Sequence, residues 1–308
     1  MFSYRHAFHA GNHADVLKHT ALLCILQHLT AKETPLSVVD THAGAGLYRL
    51  DGDFAQTSNE SEEGVLRLFA SQPAPRAAAI QTYMAALRHY NPGMADGGKL
   101  RIYPGSPVLA QHLLRAQDKL HLFELQPADM RALRGNTEQL QAHSRQVQVY
   151  HEDGFAGALR LLPPPSRRGL LLCDPSYELK SDYAQVHAFI TAALKKFATG
   201  VYVVWYPIIP RPEAHELPRK LKALARQAGK SWLNASVTVK SSAKSGIQLP
   251  GEKVKRPGMA ASGIFIINPP YPLKGALQSA LPELSRALGQ DHLAGFKLEN
   301  GEASVARP

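Results

Sequence analysis

Seven short apolar runs punctuate the chain: PLSVVD at 35–40, KLHLFEL at 119–125, QVQVYHE at 146–152, GLLLCD at 169–174, GVYVVWY at 200–206, WLNASVTVK at 232–240 and SGIFIIN at 262–268. Each is rich in β-branched, Leu or aromatic residues. Most are continuous rather than alternating, as strands covered on both faces are. Between them apolar residues recur with helical spacing, in PADMRALRGNTEQLQ, DYAQVHAFITAALKKF and PEAHELPRKLKALARQ, and again in LKGALQSALPELSRAL near the end. Pro218 inside the third of these predicts a break or kink. Strands alternating with helices predict an α/β fold with a mainly parallel sheet.

Residues 12–30 predict a helix ahead of the first strand. Asn12 can cap it, with Asp15 in the capping-box position. Val16, Leu17, Leu23, Cys24 and Gln27 mark a mostly apolar stripe, and Asp15, Lys18 and His19 share a polar flank. Residues 41–118 separate the first two strand runs, far more than a crossover needs. Two helical patterns fall there, EEGVLRLFA and RAAAIQTYMAALRHY. The expected organisation is therefore a core of 1–51 and 105–308 with a small helical insertion at 52–104. The closing KLENGEASVARP reads as a frayed tail.

Composition narrows the class. Hydrophobic residues are 44% of 308, enough for a large core, and charged residues are only 19%, which argues against disorder. A net charge of +10 favours a polyanionic partner, nucleic acid first. The two cysteines, Cys24 and Cys173, lie in apolar runs and read as reduced thiols rather than a disulfide or zinc site. With no apolar signal core and no long apolar span, the cytoplasm is the expected compartment.

The strand ends carry the candidate chemistry. VVDTHAGAG ends on Asp40 and enters a turn with Gly44 and Gly46, which permit positive φ and close approach to a ligand. The third glycine of a dinucleotide fingerprint is absent, since Arg49 stands there. The second strand ends at Glu124, suited to ribose hydroxyls. The third is followed by Asp153 and Gly154, suited to an adenine amine. Three successive strand ends of this kind, with nothing to bind phosphate, fit S-adenosylmethionine better than a dinucleotide.

Two stretches compete for the chemical site: DPSY at 174–177 and NPPY at 268–271. An exocyclic amine is a poor nucleophile because its lone pair is delocalised into the ring. The Asp174 carboxylate and the Pro175 carbonyl can both accept from that amine and favour a tetrahedral nitrogen aimed at an electrophilic methyl. Tyr177 is expected to stack on the base, which must leave its own stack to reach such a pocket. NPPY matches the usual pattern better. It ends the seventh strand, which is expected to run antiparallel, so it should point away from the cofactor edge.

At these residues the chain resembles the bacterial RlmJ family of 23S ribosomal RNA adenine-N6 methyltransferases. The resemblance covers nearly the whole chain and is densest in SYRHAFHAGNHADVLKHT (3–20), DTHAGAG (40–46), YPGSP (103–107), DGF (153–155), SRRGLLLCDPSYE (166–178), FATGVYVVWYP (197–207) and ASGIFIINPP (261–270). It implies a class I, Rossmann-like methyltransferase fold with a seven-stranded mixed sheet. It implies S-adenosylmethionine contacts at His19, His42, Ser106, Glu124, Asp153, Gly154 and Asp174; Lys18 and the strand-end residues Asp40, Gly44 and Gly46 are further expected cofactor contacts. Asp174 becomes the catalytic acid-base residue, Tyr4 a contact to RNA, and His6 and Lys18 supports of the site. The family pattern is DPPY, and here Ser176 replaces its second proline.

For RNA, the basic residues Arg167, Arg168, Lys240, Lys244, Lys253, Lys255 and Arg256 are candidates, the last five around a Gly/Ser-rich loop. Fourteen histidines, five of them before residue 29, do not by themselves make a metal site, and none is expected. The expected partner is 23S rRNA, deproteinised or early in assembly, met by a monomer. A DNA adenine methyltransferase and a non-catalytic nucleic-acid-binding protein are the alternatives.

Overall fold

The structure, a computed structural model, describes residues 6–52, 59–140, 145–241 and 259–303. Its strands are β1 (Ser37–Asp40), β2 (Leu47–Arg49), β3 (Ile102–Pro104), β4 (Lys119–Phe123), β5 (Val147–Tyr150), β6 (Gly169–Cys173), β7 (Val201–Ile208), β8 (Trp232–Thr238), β9 (Ala261–Ile267) and β10 (Gly295–Gly301). All seven expected strands form. The main sheet has eight strands in the order β10-β8-β9-β7-β6-β1-β4-β5. β1 pairs parallel with β4 and β6, β4 with β5, and β6 with β7. β9 runs antiparallel between β7 and β8.

The eighth strand corrects the expected frayed tail. β10 pairs with β8 along its whole length, Gly295 to Gly301 against Thr238 to Trp232. FKLEN alternates apolar and charged side chains, the period of an edge strand with one covered face. Leu298 packs on the core while Phe296 and Lys297 stay exposed.

The helices are α1 (His13–Thr30), α2 (Arg67–Ala70), α3 (Ala78–His89), α4 (Ser106–Leu113), α5 (Pro127–Leu140), α6 (Gly154–Arg160), α7 (Lys180–Lys196), α8 (Pro212–Gln227) and α9 (Leu273–Leu288). Two buried clusters explain why the strand runs are continuously apolar. Leu170 and Leu172 of β6 face one cluster, with α1, α3, α4 and α9. Leu171 and Cys173 face the other, with α6, α7 and α8. Successive side chains point to opposite faces, and here both faces are covered. α8 runs through Pro218 without the expected break. Its apolar face of Ala214, Leu217, Leu221 and Ala225 is buried, which outweighs one lost helical hydrogen bond.

α1 is buried on nearly every side, because α3, α4, α9 and β9 all pack against it. Asn12 caps it, its Oδ1 accepting from the N–H of Ala14 and Asp15 at 3.0 Å each. Asp15 does not close the expected box on Asn12. Its Oδ2 accepts from Gly11 N–H at 2.9 Å instead. After β1, the short strands β2 and β3 pair antiparallel and bracket the segment that carries α2 and α3.

The topology separates DPSY from NPPY. The parallel strands present their C-terminal ends at one edge, and DPSY follows β6 there. β9 ends at the other edge. The Asn268 side chain donates to the carbonyls of Ala198 and Gly200, at 3.0 and 2.8 Å, just before β7 begins.

Candidate active site

A cavity of about 240 Å³ opens at the C-terminal edge of β1, β4, β5 and β6. The turn after β1 forms its floor. Gly44 and Gly46 take positive φ, 62° and 78°. The Gly44 N–H donates to Glu124 Oε2 at 2.8 Å, and Gln126 N–H donates to Glu124 Oε1 at 2.7 Å. The carboxylate is thereby fixed after β4, and burial raises its pKa. Gly154 opens α6 against the chain after β1. A Cβ there would meet the Thr41 carbonyl oxygen at 2.0 Å, so only glycine permits this approach. Asp153 caps the same helix, its Oδ1 accepting from Ala156 N–H at 2.8 Å.

Two histidines line the cavity in their neutral form. Burial pulls His42 down to about 4, and its ring stands edge-on to Phe155 with centroids 5.0 Å apart. Burial pulls His19 down to about 3. His19 Nδ1 lies 2.8 Å from the Tyr103 hydroxyl, which lies 3.0 Å from that of Tyr83. With Tyr103 donating to Nδ1, the proton of His19 sits on Nε2. That atom is buried, in a residue that lines the cavity, has no hydrogen-bond partner among the described residues and lies 4.0 Å from Asp15 Oδ1. A donor without a hydrogen-bonded acceptor can serve a ligand carboxylate.

On the other side of the cavity α1 meets the end of β6. Lys18 Nζ contacts Asp174 Oδ2 and lies 2.8 Å from Asp15 Oδ1. Asp15 Oδ2 also lies 3.1 Å from His6 Nε2. Burial opposes charge on both Asp15 and Lys18. The partners overcome it: Lys18 and His6 hold the Asp15 carboxyl well below its ordinary range, and the two carboxylates hold the Lys18 ammonium above its own. The pair is therefore ionised inside the fold. Lys18 is the one Lys or Arg lining the cavity among the described residues. It is already paired, so no cation is left for a phosphate. A nucleoside with hydroxyls for Glu124, an amine for Asp153 and a carboxylate for His19 fits these donors and acceptors.

The comparisons with known proteins agree over almost the whole chain. A family model described as ribosomal RNA large subunit methyltransferase D, RlmJ, matches residues 33–299. The chain belongs to this RlmJ family. It is 41% identical over 288 residues to ribosomal RNA large subunit methyltransferase J of Escherichia coli, covering 94% of each chain. It is 38% identical over 299 residues to the protein of the same name from Haemophilus influenzae, covering 97% of this chain and 98% of that one. A crystal structure of a Legionella pneumophila protein superposes with a TM-score of 0.79 at 30% identity, covering 96% of this chain and 99% of that one. The α/β methyltransferase fold with a mostly parallel mixed sheet is thus shown.

Within this RlmJ-family fold, His6, Lys18, His19, His42, Gly44, Ser106, Glu124, Asp153, Gly154, Asp174 and Pro175 all line one cavity. Asp40 and Gly46 do not. Asp40 is buried behind the wall, accepting from Ser106 Oγ at 2.7 Å and His42 N–H at 3.2 Å. The carbonyl of Gly46 accepts from Gly105 N–H at 2.7 Å, which seats the start of α4. Both shape the site without facing it.

Tyr177 is a correction. It was expected to stack on the base, yet its ring is buried beneath the turn, on Tyr183 and Trp205 with centroids 4.6 and 5.8 Å away. Its hydroxyl donates to the Trp205 carbonyl at 2.7 Å, and its φ of 53° turns the ring inward. Arg167 and Arg168 precede β6, at the edge opposite the cavity; Arg167 is exposed, and the Arg168 guanidinium donates to the carbonyls of Leu29, in the last turn of α1, and of Thr34 beyond it. Tyr4, Lys244, Lys253, Lys255 and Arg256 lie outside the described residues. Sequence reasoning left out Asp15, Tyr103, Phe155 and Arg211. Only Asp15 had a signal, its spacing from Lys18 and His19 on one helix flank.

Proposed function

We propose that the chain transfers a methyl group from S-adenosylmethionine to the exocyclic N6 of an adenine in 23S rRNA. The observation that carries this reading is the meeting of Asp174 and Pro175 with the nucleoside-fitting wall in one cavity, at the end of the strand beside β1. S-adenosylmethionine supplies an electrophilic methyl group on a sulfonium sulfur. Glu124 would take its ribose hydroxyls, Asp153 its adenine amine and His19 Nε2 its carboxylate, with His42 and Phe155 lining the same cavity.

The protein's own part is positioning. Lys18 occupies Oδ2 of Asp174, which leaves Oδ1 to accept from the target amine. The Pro175 carbonyl accepts the second amine hydrogen. With both hydrogens held, the nitrogen lone pair is directed at the methyl carbon, and the rate gain is largely that of fixed geometry. The proton released from the methylated nitrogen passes to Asp174. A base reaches this depth only when flipped or unpaired, which favours RNA whose target is not locked in assembled ribosomal protein.

Labelled methyl transfer tests the reading, with deproteinised 23S rRNA, intact large subunits and duplex DNA as acceptors and Asp174→Ala as the control. N6-methyladenosine in digested rRNA, absent with the variant, is the expected result. Label in DNA alone, or in a nucleoside other than N6-methyladenosine, overturns it.

A further inference from the structure

The turn that carries Asp174 lacks the second proline of the family pattern, so its rigidity has to come from elsewhere. Ser176 is exposed, and no acceptor among the described residues takes its N–H. Nothing local fixes the peptide between Pro175 and Tyr177. Tyr177 itself stands at positive φ, 53°, a conformation that a residue with a Cβ does not hold without help.

The help comes from β7 and the residues just after it. The Tyr177 hydroxyl is tied to the carbonyl of Trp205, within β7. The Tyr177 carbonyl accepts from Arg211 Nη1 at 3.2 Å. Arg211 is well placed to act as an anchor. Its N–H donates to Ile209 O at 2.7 Å, and its carbonyl accepts from Ala214 N–H at 3.1 Å as the cap of α8. Its side chain is half-buried. The same guanidinium opposes the burial that raises the acidic groups of Asp182 and Tyr183, which places its charge against the base of α7.

We infer that Arg211 is a positioning residue for the methyl transfer: by holding the Tyr177 carbonyl it fixes the Asp174–Tyr177 turn and supplies the restraint that a second proline would give at Ser176. The inference rests on the reading of Asp174 and Pro175 as the groups that hold the amine. Arg211 touches neither, and acts through the turn between them and β7. A proline at 176 would sacrifice no hydrogen bond among the described residues, so it can be added as a second restraint on the same turn.

The test compares Arg211→Gln, Ser176→Pro and the double variant in full-length protein. Two readouts are used: steady-state methyl transfer to 23S rRNA, and hydrogen exchange in peptides covering 174–178. Arg211→Gln is expected to lower kcat about tenfold, the rate equivalent of one charge-assisted hydrogen bond, with KM for RNA within about twofold. Exchange in 174–178 is expected to quicken. Adding Ser176→Pro should restore most of both losses. A double variant no faster than Arg211→Gln overturns the inference. So does an Arg211→Gln variant with raised KM, unchanged kcat and unchanged exchange, which would make Arg211 a contact to RNA phosphate. Should the unsubstituted protein methylate no RNA, the functional reading fails by itself, and the exchange data still decide whether Arg211 holds the turn.

Discussion

Lys18, in the first helix of the chain, binds Asp174 at the end of β6, and Asp15 holds the other side of the same ammonium. One oxygen of Asp174 is thereby committed, so the carboxylate cannot rotate freely to meet the substrate. The arrangement also ties the N-terminal segment to the Asp174–Tyr177 turn, since Asp15 accepts from Gly11 N–H and pairs with His6.

Replacing Lys18 by Met keeps the length of the stem and removes the charge. Two carboxylates, one of them fully buried, then lose their shared cation. Breaking a buried pair in this way costs about 3–5 kcal/mol of stability. The released Asp174 also loses its orientation, and kcat is expected to fall on the order of 100-fold. Denaturant melts and single-turnover transfer measure the two effects. A variant with unchanged kcat at full folding would remove Lys18 from the mechanism.

Asp40 makes a prediction about pH. Burial raises its pKa to about 6 from an ordinary 3.8, against the opposing bonds from Ser106 and His42. The folded state therefore binds more protons than the unfolded one between those two values. Stability from this group falls as pH rises through that window and is flat above it, a loss of about 3 kcal/mol. Asp40→Asn keeps the partners and removes the titration. It should melt higher than the unsubstituted protein at pH 7.5, with the gap closing towards pH 4. Equal gaps at both pH values would refute a raised Asp40.

Two glycines separate ligand geometry from helix propensity. At Gly154 a methyl group would strike Thr41 O at 2.0 Å, with other Thr41 backbone atoms at 2.8 and 2.9 Å. Gly154→Ala must push α6 away from β1, and is expected to cost about 1–3 kcal/mol and weaken cofactor binding at least tenfold. At Gly135, inside α5, nothing lies within 4 Å of such a methyl. Gly135→Ala is expected to stabilise by about 0.5–1 kcal/mol and leave binding alone. Calorimetric titration with S-adenosylmethionine and thermal melts read both. Tight binding by Gly154→Ala would show that the wall is not where the ligand sits.

Much of this was legible in the sequence, for a physical reason. A strand covered on both faces is a continuous apolar run, and β6, β7 and β9 are of that kind, while β4 alternates, with Lys119 exposed and Leu120 and Leu122 covered. β2 and β3 are three residues each and carry no period, and β10 is an edge with one covered face. Strand ends follow from strands, so Glu124, Asp153 and Asp174 could be placed in order. Which acid faces a cavity and which stands behind it depends on side-chain direction, and Asp40 lies behind. The polar flank of α1 carried no sign of burial, because α3, α4 and α9 come from distant parts of the chain. Tyr177 depends on one backbone angle, and Arg211 on a contact across 34 positions.

The second motif-like stretch, NPPY, supplies the sharpest contrast with DPSY. Asn268 stands at φ 54°, and its side chain donates to Ala198 O and Gly200 O. It pins the end of β9 to the start of β7, at the edge away from the cavity. Asn268→Ala loses both hydrogen bonds and places alanine in the left-handed region, a destabilisation of about 2–3 kcal/mol. Tyr271 is 96% exposed and should be replaceable by Ala with no change in melting or transfer. At a temperature where each variant is folded, both should methylate at the unsubstituted rate, whereas Asp174→Ala should not. The measurement is transfer per folded molecule, with folding checked by circular dichroism in the same buffer. Loss of transfer in folded Asn268→Ala, with activity kept in Asp174→Ala, would move the amine-holding role from DPSY to NPPY. The parallel order of β6 beside β1, and the antiparallel run of β9, argue for the opposite result.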